Sequence, residues 1–286
     1  MNRERLEQIL KSFDADGANP SPVGFAPPSV GYSIQIFEEL ASTNQTLWEA
    51  IAEVAEPALW VAIAKRQTAG KGQWGRQWHS PAGGLYLSIA LTPNLPVADA
   101  LLLTLCSAWG IATTLRAYQI PVCLKWPNDL LLHSRKLGGI LTETKINRGK
   151  ITQAVVGVGI NWKNPVPETG INLYRFLTDR PNPEINSLEM LAALTLHGIT
   201  SGYQTFIEKG VETLLPSYRQ LMVGLGESVT VKGFPGAIAG VSKTGELLVR
   251  LARSARGDEN AAPGTSPSEI ALPPGTISLG YPPPDV

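Results

Sequence analysis

An excess of charge of either sign is missing from this chain: across 286 residues, 24 lysines and arginines balance 24 aspartates and glutamates, for a formal net charge of zero. No global positive field exists to hold a polyanion, so a nucleic-acid partner is not expected and any phosphate chemistry must use a local cluster of cations. Cysteine is nearly absent. Cys106 and Cys123 are the only two and sit among apolar neighbours, too few for a disulfide framework, so both are expected as small buried thiols. The three histidines, His79, His133 and His197, are scattered without a second ligand at metal-binding spacing, which argues against structural zinc. Long hydrophobic runs are also lacking. The longest, Ala100 to Leu115, is interrupted by Thr104, Ser107, Thr113 and Thr114 and reads as a buried helix, too short to cross a bilayer. The first thirty residues carry no apolar core of the signal-peptide kind, so a cytoplasmic protein with no membrane partner is expected.

What is present is ample core material, 43% hydrophobic residues. Arg3 to Phe13 has helical spacing, and Asn19 to Ser29 carries four prolines, so residues 1–30 read as an appendage and linker, too short for a DNA-reading domain. From residue 31 to 224 strand and helix patterns alternate. Strands are expected at Tyr32–Phe37, Trp60–Arg66, Leu85–Leu91, Val122–Trp126, Leu130–His133, Ile140–Lys145 and Ile151–Ile160, with a turn at Asn147-Arg148-Gly149. Helices are expected at Thr43–Ala55, capped by Ser42 or Thr43, at Asp99–Tyr118, and after a capping box formed by Asn186 and Glu189. The fold class is therefore α+β, a mixed sheet covered by helices. Residues 225–286 change texture to short β runs at Ser228–Lys232, Ala237–Val241, Leu247–Leu251 and Thr276–Gly280, the pattern of a small β-barrel with a mobile loop at 253–267.

Four segments carry chemistry. Gly70-Lys71-Gly72-Gln73-Trp74-Gly75-Arg76 matches the glycine spacing of a dinucleotide loop, but Gln77-Trp78-His79-Ser80-Pro81 cannot start the helix that such a site needs. The alternatives are a solvated turn or a loop that folds around a ligand and aims Lys71 and Arg76 at anionic oxygens. Lys125-Trp126-Pro127-Asn128-Asp129 sets a cation beside oxygens able to hold Mg²⁺ near phosphate. Lys136 precedes Gly138-Gly139-Ile140, where a ligand can approach closely, although a solvated turn lysine is the plainer reading. Gly157-Val158-Gly159-Ile160-Asn161 alternates as a strand does when a flat group lies on its backbone, or when a helix packs tightly there.

Taken in order, Ser42-Thr43-Asn44, the loop from Gly70 through Trp78 with Ser80-Pro81 and Leu85-Tyr86, the run from Lys125 to Asp129, Lys136 with Gly139-Ile140-Leu141, and Gly157 to Asn161 resemble the biotin protein ligase family from residue 32 to residue 281. The resemblance implies a catalytic domain related to class II aminoacyl-tRNA synthetases, followed by an SH3-like barrel. It implies a reaction through biotinyl-5′-AMP, with ATP, biotin and Mg²⁺ as small molecules and the biotin carboxyl carrier protein of acetyl-CoA carboxylase as partner; a homodimer is compatible with it. By that resemblance Lys136, Lys71, Arg76 and Asp129 are catalytic. Biotin meets Ser42, Thr43, Asn44, Gln67, Gly70, Lys71, Gly72, Gln73, Trp78, Lys136, Gly139 and Ile140, and ATP meets Lys71, Gln73, Arg76, Lys125, Asn128, Lys136 and Asn161. Asp129 is the implied Mg²⁺ ligand. Two departures stand out: Lys71 and Gln73 occupy positions where the family has arginine, which weakens retention of the adenylate, and the missing DNA-binding domain points to the monofunctional subclass. A lipoate or octanoate ligase, lacking its Arg-Arg-x-x-Gly-Gly-Gly loop here, and a non-catalytic biotin-binding module are the competing readings.

Overall fold

The structure, a computed structural model, describes residues 1–15, 31–52, 59–178, 180–181, 183–252 and 268–281. The expected loop at 253–267 and the carboxyl end of the helix expected to reach residue 55 lie outside them. Eight strands form one mixed sheet. Along its main path the order is β1 (Tyr32–Phe37), β2 (Leu59–Ala64), β3 (Leu85–Leu91), β8 (Lys150–Ile160), β7 (Arg135–Asn147), β6 (Asp129–Leu132) and β5 (Cys123–Lys125), with β4 (Leu95–Pro96) beside β8. Only β1 and β2 pair in parallel; the others are antiparallel. β7 and β8 run longer than expected and meet at Arg148 and Gly149, both at positive φ, as a tight hairpin requires.

The two faces of the sheet follow from side-chain alternation. Leu85, Leu87, Ile89 and Leu91 of β3, with Val156, Val158 and Ile160 of β8, belong to the main core, shared with α3 (Ala100–Ala117), the short α4 (Leu173–Thr178) and α5 (Leu188–Lys209). The opposite face carries Tyr86, Ser88 and Ala90 paired with Gly159, Gly157 and Val155, and α2 (Thr43–Ala52) packs there through Leu47. With the turn before it, α3 is longer than the apolar run expected, and Val97–Ala117 is long and apolar enough to cross a membrane, but as expected it is a buried core helix. It crosses α5 where Gly110 meets Gly198 and Gly202, and a Cβ on Gly198 would stand 2.7 Å from Ile111 Cα. Cys106 lies buried in this contact and burial pushes its thiol up to about 12, as an inert core thiol requires; Cys123, expected to be buried, is half-buried.

Several sequence expectations change. The helix at the amino end, α1 (Arg3–Ala15), is not peripheral: Leu6 and Leu10 are buried, Phe13 packs edge-on against His197 of α5, and Asn2 N–H donates to Glu189 Oε1 at 2.7 Å. Its apolar stripe has the spacing of a helix that needs a partner. The cap of α5 is Ser187, whose side chain accepts from Met190 N at 3.2 Å, one residue later than the Asn186 capping box. At the carboxyl end the small β domain is a four-stranded antiparallel sheet, β12-β11-β10-β9, built from Ser228–Val231, Phe234–Val241, Leu247–Leu251 and Glu269–Leu272. Its fourth strand is β12 and not Thr276–Gly280. Pro273 and Pro274 cannot donate to a ladder, and the segment beyond turns at Gly275 (φ 87°); Ile277 and Leu279 still pack on the core, which preserves the alternation that imitates a strand.

Packing of α3 on α5 tolerates no added methyl. Gly198→Ala is expected to destabilise the protein by about 1–3 kcal/mol in denaturant unfolding. A change within experimental error would contradict the close crossing.

Candidate functional site

A cavity of about 730 Å³ opens on the glycine-bearing face of the sheet, between the amino end of α2, the loop from residue 71 to 78, the β5–β6–β7 strands and the carboxyl-terminal segment Pro274 to Tyr281. That volume is within the range of small-molecule sites, roughly 300–1,000 Å³. Lys71, Arg76, Lys125 and Lys136 all line it, and Asp129 is the only carboxylate among its described lining residues.

Strand register explains how separate stretches converge. Lys125 pairs with Asp129, Asp129 with Gly139, and Gly139 with Gly159, so these four residues form one row across β5, β6, β7 and β8. Lys136 lies three positions before Gly139, and regular alternation would turn its side chain away. The register shift between Leu130 and Leu131 pairs Leu131 with Lys136 and leaves Leu137 as the extra residue, which returns Lys136 to the face of Asp129. Its Nζ then stands 2.6 Å from Asp129 Oδ1 and 5.2 Å from the centre of the Trp78 ring.

The glycines of β7 and β8 make room. A Cβ on Gly159 would collide with the Trp78 indole, and one on Gly139 would stand 3.5 Å from both Lys136 Cε and Trp78 Cζ3. Gly157 clears a place for Asn44 in the same way. The ring on Gly159 is the protein's own Trp78 and a residue of α2 presses on Gly157, so both glycines make room for internal packing. Trp78 Nε1 is buried with no hydrogen-bond partner among the described residues.

The loop is a short hairpin with no following helix, in agreement with the rejection of a dinucleotide site. Gly72 N–H donates to Arg76 O at 2.7 Å and Trp78 N–H to Gly70 O at 2.9 Å. Gly70 does not line the cavity; a Cβ there would meet Trp78 O at 2.5 Å and Ser80 Oγ at 2.6 Å, so its role is to let the hairpin close. At the tip Trp74 has φ 60° and is 63% exposed, a conformation a bulky side chain rarely adopts. Ser42, Thr43, Asn44, Gln67, Gly72, Gln73, Trp78, Gly139 and Ile140 all line the cavity.

Of the two asparagines expected at the nucleotide, Asn128 lines the cavity and Asn161 does not. Asn161 does not line the cavity: its Nδ2 donates to Lys136 O at 3.3 Å and its Oδ1 accepts from Asn164 at 2.9 Å, so it braces the strand that carries Lys136. Asn128 lines the cavity, but its Nδ2 donates to Ile140 O at 2.9 Å, tying the β5–β6 turn to β7.

The sequence reading overlooked the carboxyl-terminal wall. Tyr281 places its ring 3.7 Å from Lys125 Nζ and donates from its hydroxyl to Asp129 Oδ2 at 3.2 Å; burial, followed by the Asp129 charge, pushes the phenol pKa up. Trp126 Nε1–H donates to Gly245 O at 2.8 Å, joining the large sheet to the small β domain. Burial lowers the Lys125 pKa, opposed by Asp129 and reinforced by Lys136 and Arg76. Lys125 therefore feels its fellow cations directly. Among the described residues no three His, Cys, Asp or Glu side chains gather as a metal cage.

Residues 36–161 match the biotin/lipoate A/B protein ligase family. The bifunctional ligase/repressor BirA of Escherichia coli is 32% identical over 225 residues, covering 77% of this chain and 70% of that protein. BirA of Bacillus subtilis is 27% identical over 235 residues, covering 79% and 72%. The solved structure of the Aquifex aeolicus biotin protein ligase in complex with biotin and ATP superposes with a TM-score of 0.64 at 26% identity, over 87% of this chain and 99% of that one.

If the Trp78 indole depends on the gap at Gly159, Gly159→Ala should alter the near-ultraviolet circular dichroism while leaving the far-ultraviolet spectrum intact. Identical near-ultraviolet spectra would contradict the contact.

Proposed function

This chain belongs to the biotin protein ligase family, and from that premise we propose how its own residues divide the work of joining biotin to a carrier lysine. The protein is an ATP-dependent biotin protein ligase, and its small-molecule substrates are biotin and ATP. One observation carries the assignment of roles: four cationic side chains from three separate stretches line a single cavity with one carboxylate.

In the first step a biotin carboxylate oxygen attacks the α-phosphorus of ATP, the bond to the β-phosphate breaks, and pyrophosphate leaves. Bringing one anion against a polyanion costs on the order of 4 kcal/mol for each like pair at about 4 Å and an effective dielectric of about 20, and each added cation returns as much. Lys136 is assigned to the carboxylate and α-phosphate, Lys125 to the phosphates beyond, and Lys71 and Arg76 to a loop that folds over the nucleotide. Biotin takes the deep end between Thr43, Asn44, Gln67 and Trp78, with Ser42 at the start of α2. Gly70, Asn128 and Asn161 act as braces for these groups.

Asp129 with its neighbours makes a poor resident metal site, since one carboxylate already held by Lys136 and Tyr281 supplies too few oxygens. Mg²⁺ would instead accompany ATP, with Asp129 the residue that would help hold it, and it would supply neutralisation of charge on the phosphates. In the second step the neutral amine of the carrier lysine attacks the acyl carbon of biotinyl-5′-AMP, AMP departs, and the amine loses its proton. Asp129 holds Lys136 and Tyr281 in place, and orientation is the role assigned to it here rather than general base. The carrier proposed is the biotin carboxyl carrier protein of acetyl-CoA carboxylase, the activity in the cytoplasm. Residues 31–224 with α1 form the catalytic unit, and residues 225–286 supply the small β domain and the wall at Tyr281.

The direct test is incubation with ATP, Mg²⁺, labelled biotin and an apo carrier domain: label on the carrier supports the assignment, and its absence refutes it. Lys136→Ala is expected to slow adenylate formation by at least about a hundredfold, and near-normal turnover would remove Lys136 from the chemistry. Because burial lowers the Lys125 pKa and phosphate binding needs its charge, the KM for ATP should climb on the alkaline side before an ordinary lysine would titrate. Lys125→Arg should move that limb to higher pH; coincident profiles would contradict the role. Gln73→Arg should slow escape of free biotinyl-5′-AMP, measured by trapping, and equal escape would disprove the part given to the loop.

A further inference from the structure

The floor of the biotin end is wired to residues that lie behind the cavity. Ser88 of β3 is fully buried, with its Oγ 2.6 Å from Asn44 Oδ1 and 2.7 Å from Thr43 Oγ1. On its other side Asn44 donates through Nδ2 to Glu143 Oε2 at 2.8 Å and to Leu141 O at 3.3 Å. Ser88 and Glu143 do not line the cavity; Thr43 and Asn44 do.

Donor and acceptor roles in this chain are forced from the Glu143 end. An ionised carboxylate and a backbone carbonyl can only accept, so the amide of Asn44 must turn its NH₂ toward Glu143 and Leu141 and its oxygen toward Ser88. Ser88 has one proton, shared between Asn44 Oδ1 and Thr43 Oγ1 as a three-centre bond. The proton of Thr43 is then turned to Gln67 Oε1 at 3.2 Å, an oxygen that also accepts Thr43 N–H at 2.8 Å. Gln67 Nε2 donates to Ser80 Oγ at 2.8 Å, and Ser80 donates to Trp78 O at 3.0 Å, which fixes the glutamine amide as well. With its proton directed to Gln67, Thr43 Oγ1 keeps a lone pair for a further donor, and Thr43 lines the cavity. Gly157 is part of the device, because a Cβ there would strike Asn44 Oδ1.

We infer that Glu143 and Ser88 are positioning residues which, through Asn44, make Thr43 a hydrogen-bond acceptor toward the cavity and so select a ligand that presents N–H donors there, as a cyclic urea does. The inference rests on the biotin reading of this cavity, since the ureido ring supplies those donors.

Steady-state kinetics with separate titrations of biotin and ATP test it on the full chain. Glu143→Ala and Ser88→Ala should each raise the KM for biotin about tenfold, the equivalent of one hydrogen bond, with kcat and the KM for ATP unchanged. Glu143→Gln keeps an oxygen that accepts from Asn44 and should recover the wild-type KM to within about twofold. The double variant should be no worse than either single one, because both interrupt the same relay. An unchanged KM for biotin in both single variants, no recovery in Glu143→Gln, or parallel rises in both KM values with a lowered Tm would each overturn the inference. A wild-type protein that releases no pyrophosphate on adding biotin and ATP would overturn the ligase reading and the relay with it; an active wild type with insensitive variants overturns the relay alone.

Discussion

Four like charges held around one cavity are the constraint on which the site depends. Lys71, Arg76, Lys125 and Lys136 repel one another, and the strands and the loop that carry them hold them around the same cavity. Asp129 provides an internal counterion at 2.6 Å from Lys136, and the electron-rich face of Tyr281 covers Lys125. Both partners are weaker claims on a cation than a triphosphate. In the mechanism we propose, substrate oxygens take the place of Asp129 and Tyr281 on these cations.

Backbone geometry carries the convergence. The row Lys125, Asp129, Gly139 and Gly159 runs across four strands, so a shift of one residue in any pairing would turn its member to the helix-covered core. The extra residue at Leu137 makes the one deliberate exception and brings Lys136 to the same face. On the opposite face α3 and α5 clamp the sheet through a glycine crossing. Rigid strands on one side and a short hairpin at 70–78 on the other divide the labour between holding charge and admitting substrate.

Much of this was legible in the sequence because it rests on local pattern. Period-two alternation located β3 and β8, the apolar run from Ala100 gave α3, and the inability of Gln77 to Pro81 to begin a helix separated the loop from a dinucleotide site. Motif order then named the four cations. What escaped was long-range. Nothing in Thr276 to Tyr281 distinguishes a strand from a strap that alternates because Ile277 and Leu279 seat on the core, and Tyr281 meets Asp129 across a separation of 152 residues. The burial of α1 was hidden for the same reason, as an amphipathic stripe does not say which surface will cover it. Asn161 was given to the nucleotide on motif grounds, whereas the end of β8 turns its amide to the backbone of Lys136. Ser88 and Glu143 had no signal at all, because a lone serine or glutamate in a strand gains meaning only from its cross-strand neighbours.

A crystal structure of the protein with a non-hydrolysable analogue of biotinyl-5′-AMP would test the account most directly. The account predicts the phosphoryl oxygens within about 3 Å of Lys136 Nζ, with Lys125, Lys71 and Arg76 turned to the same group and the Asp129 to Lys136 contact opened. A phosphoryl group lying away from these four side chains, with Lys136 still paired to Asp129, would contradict it.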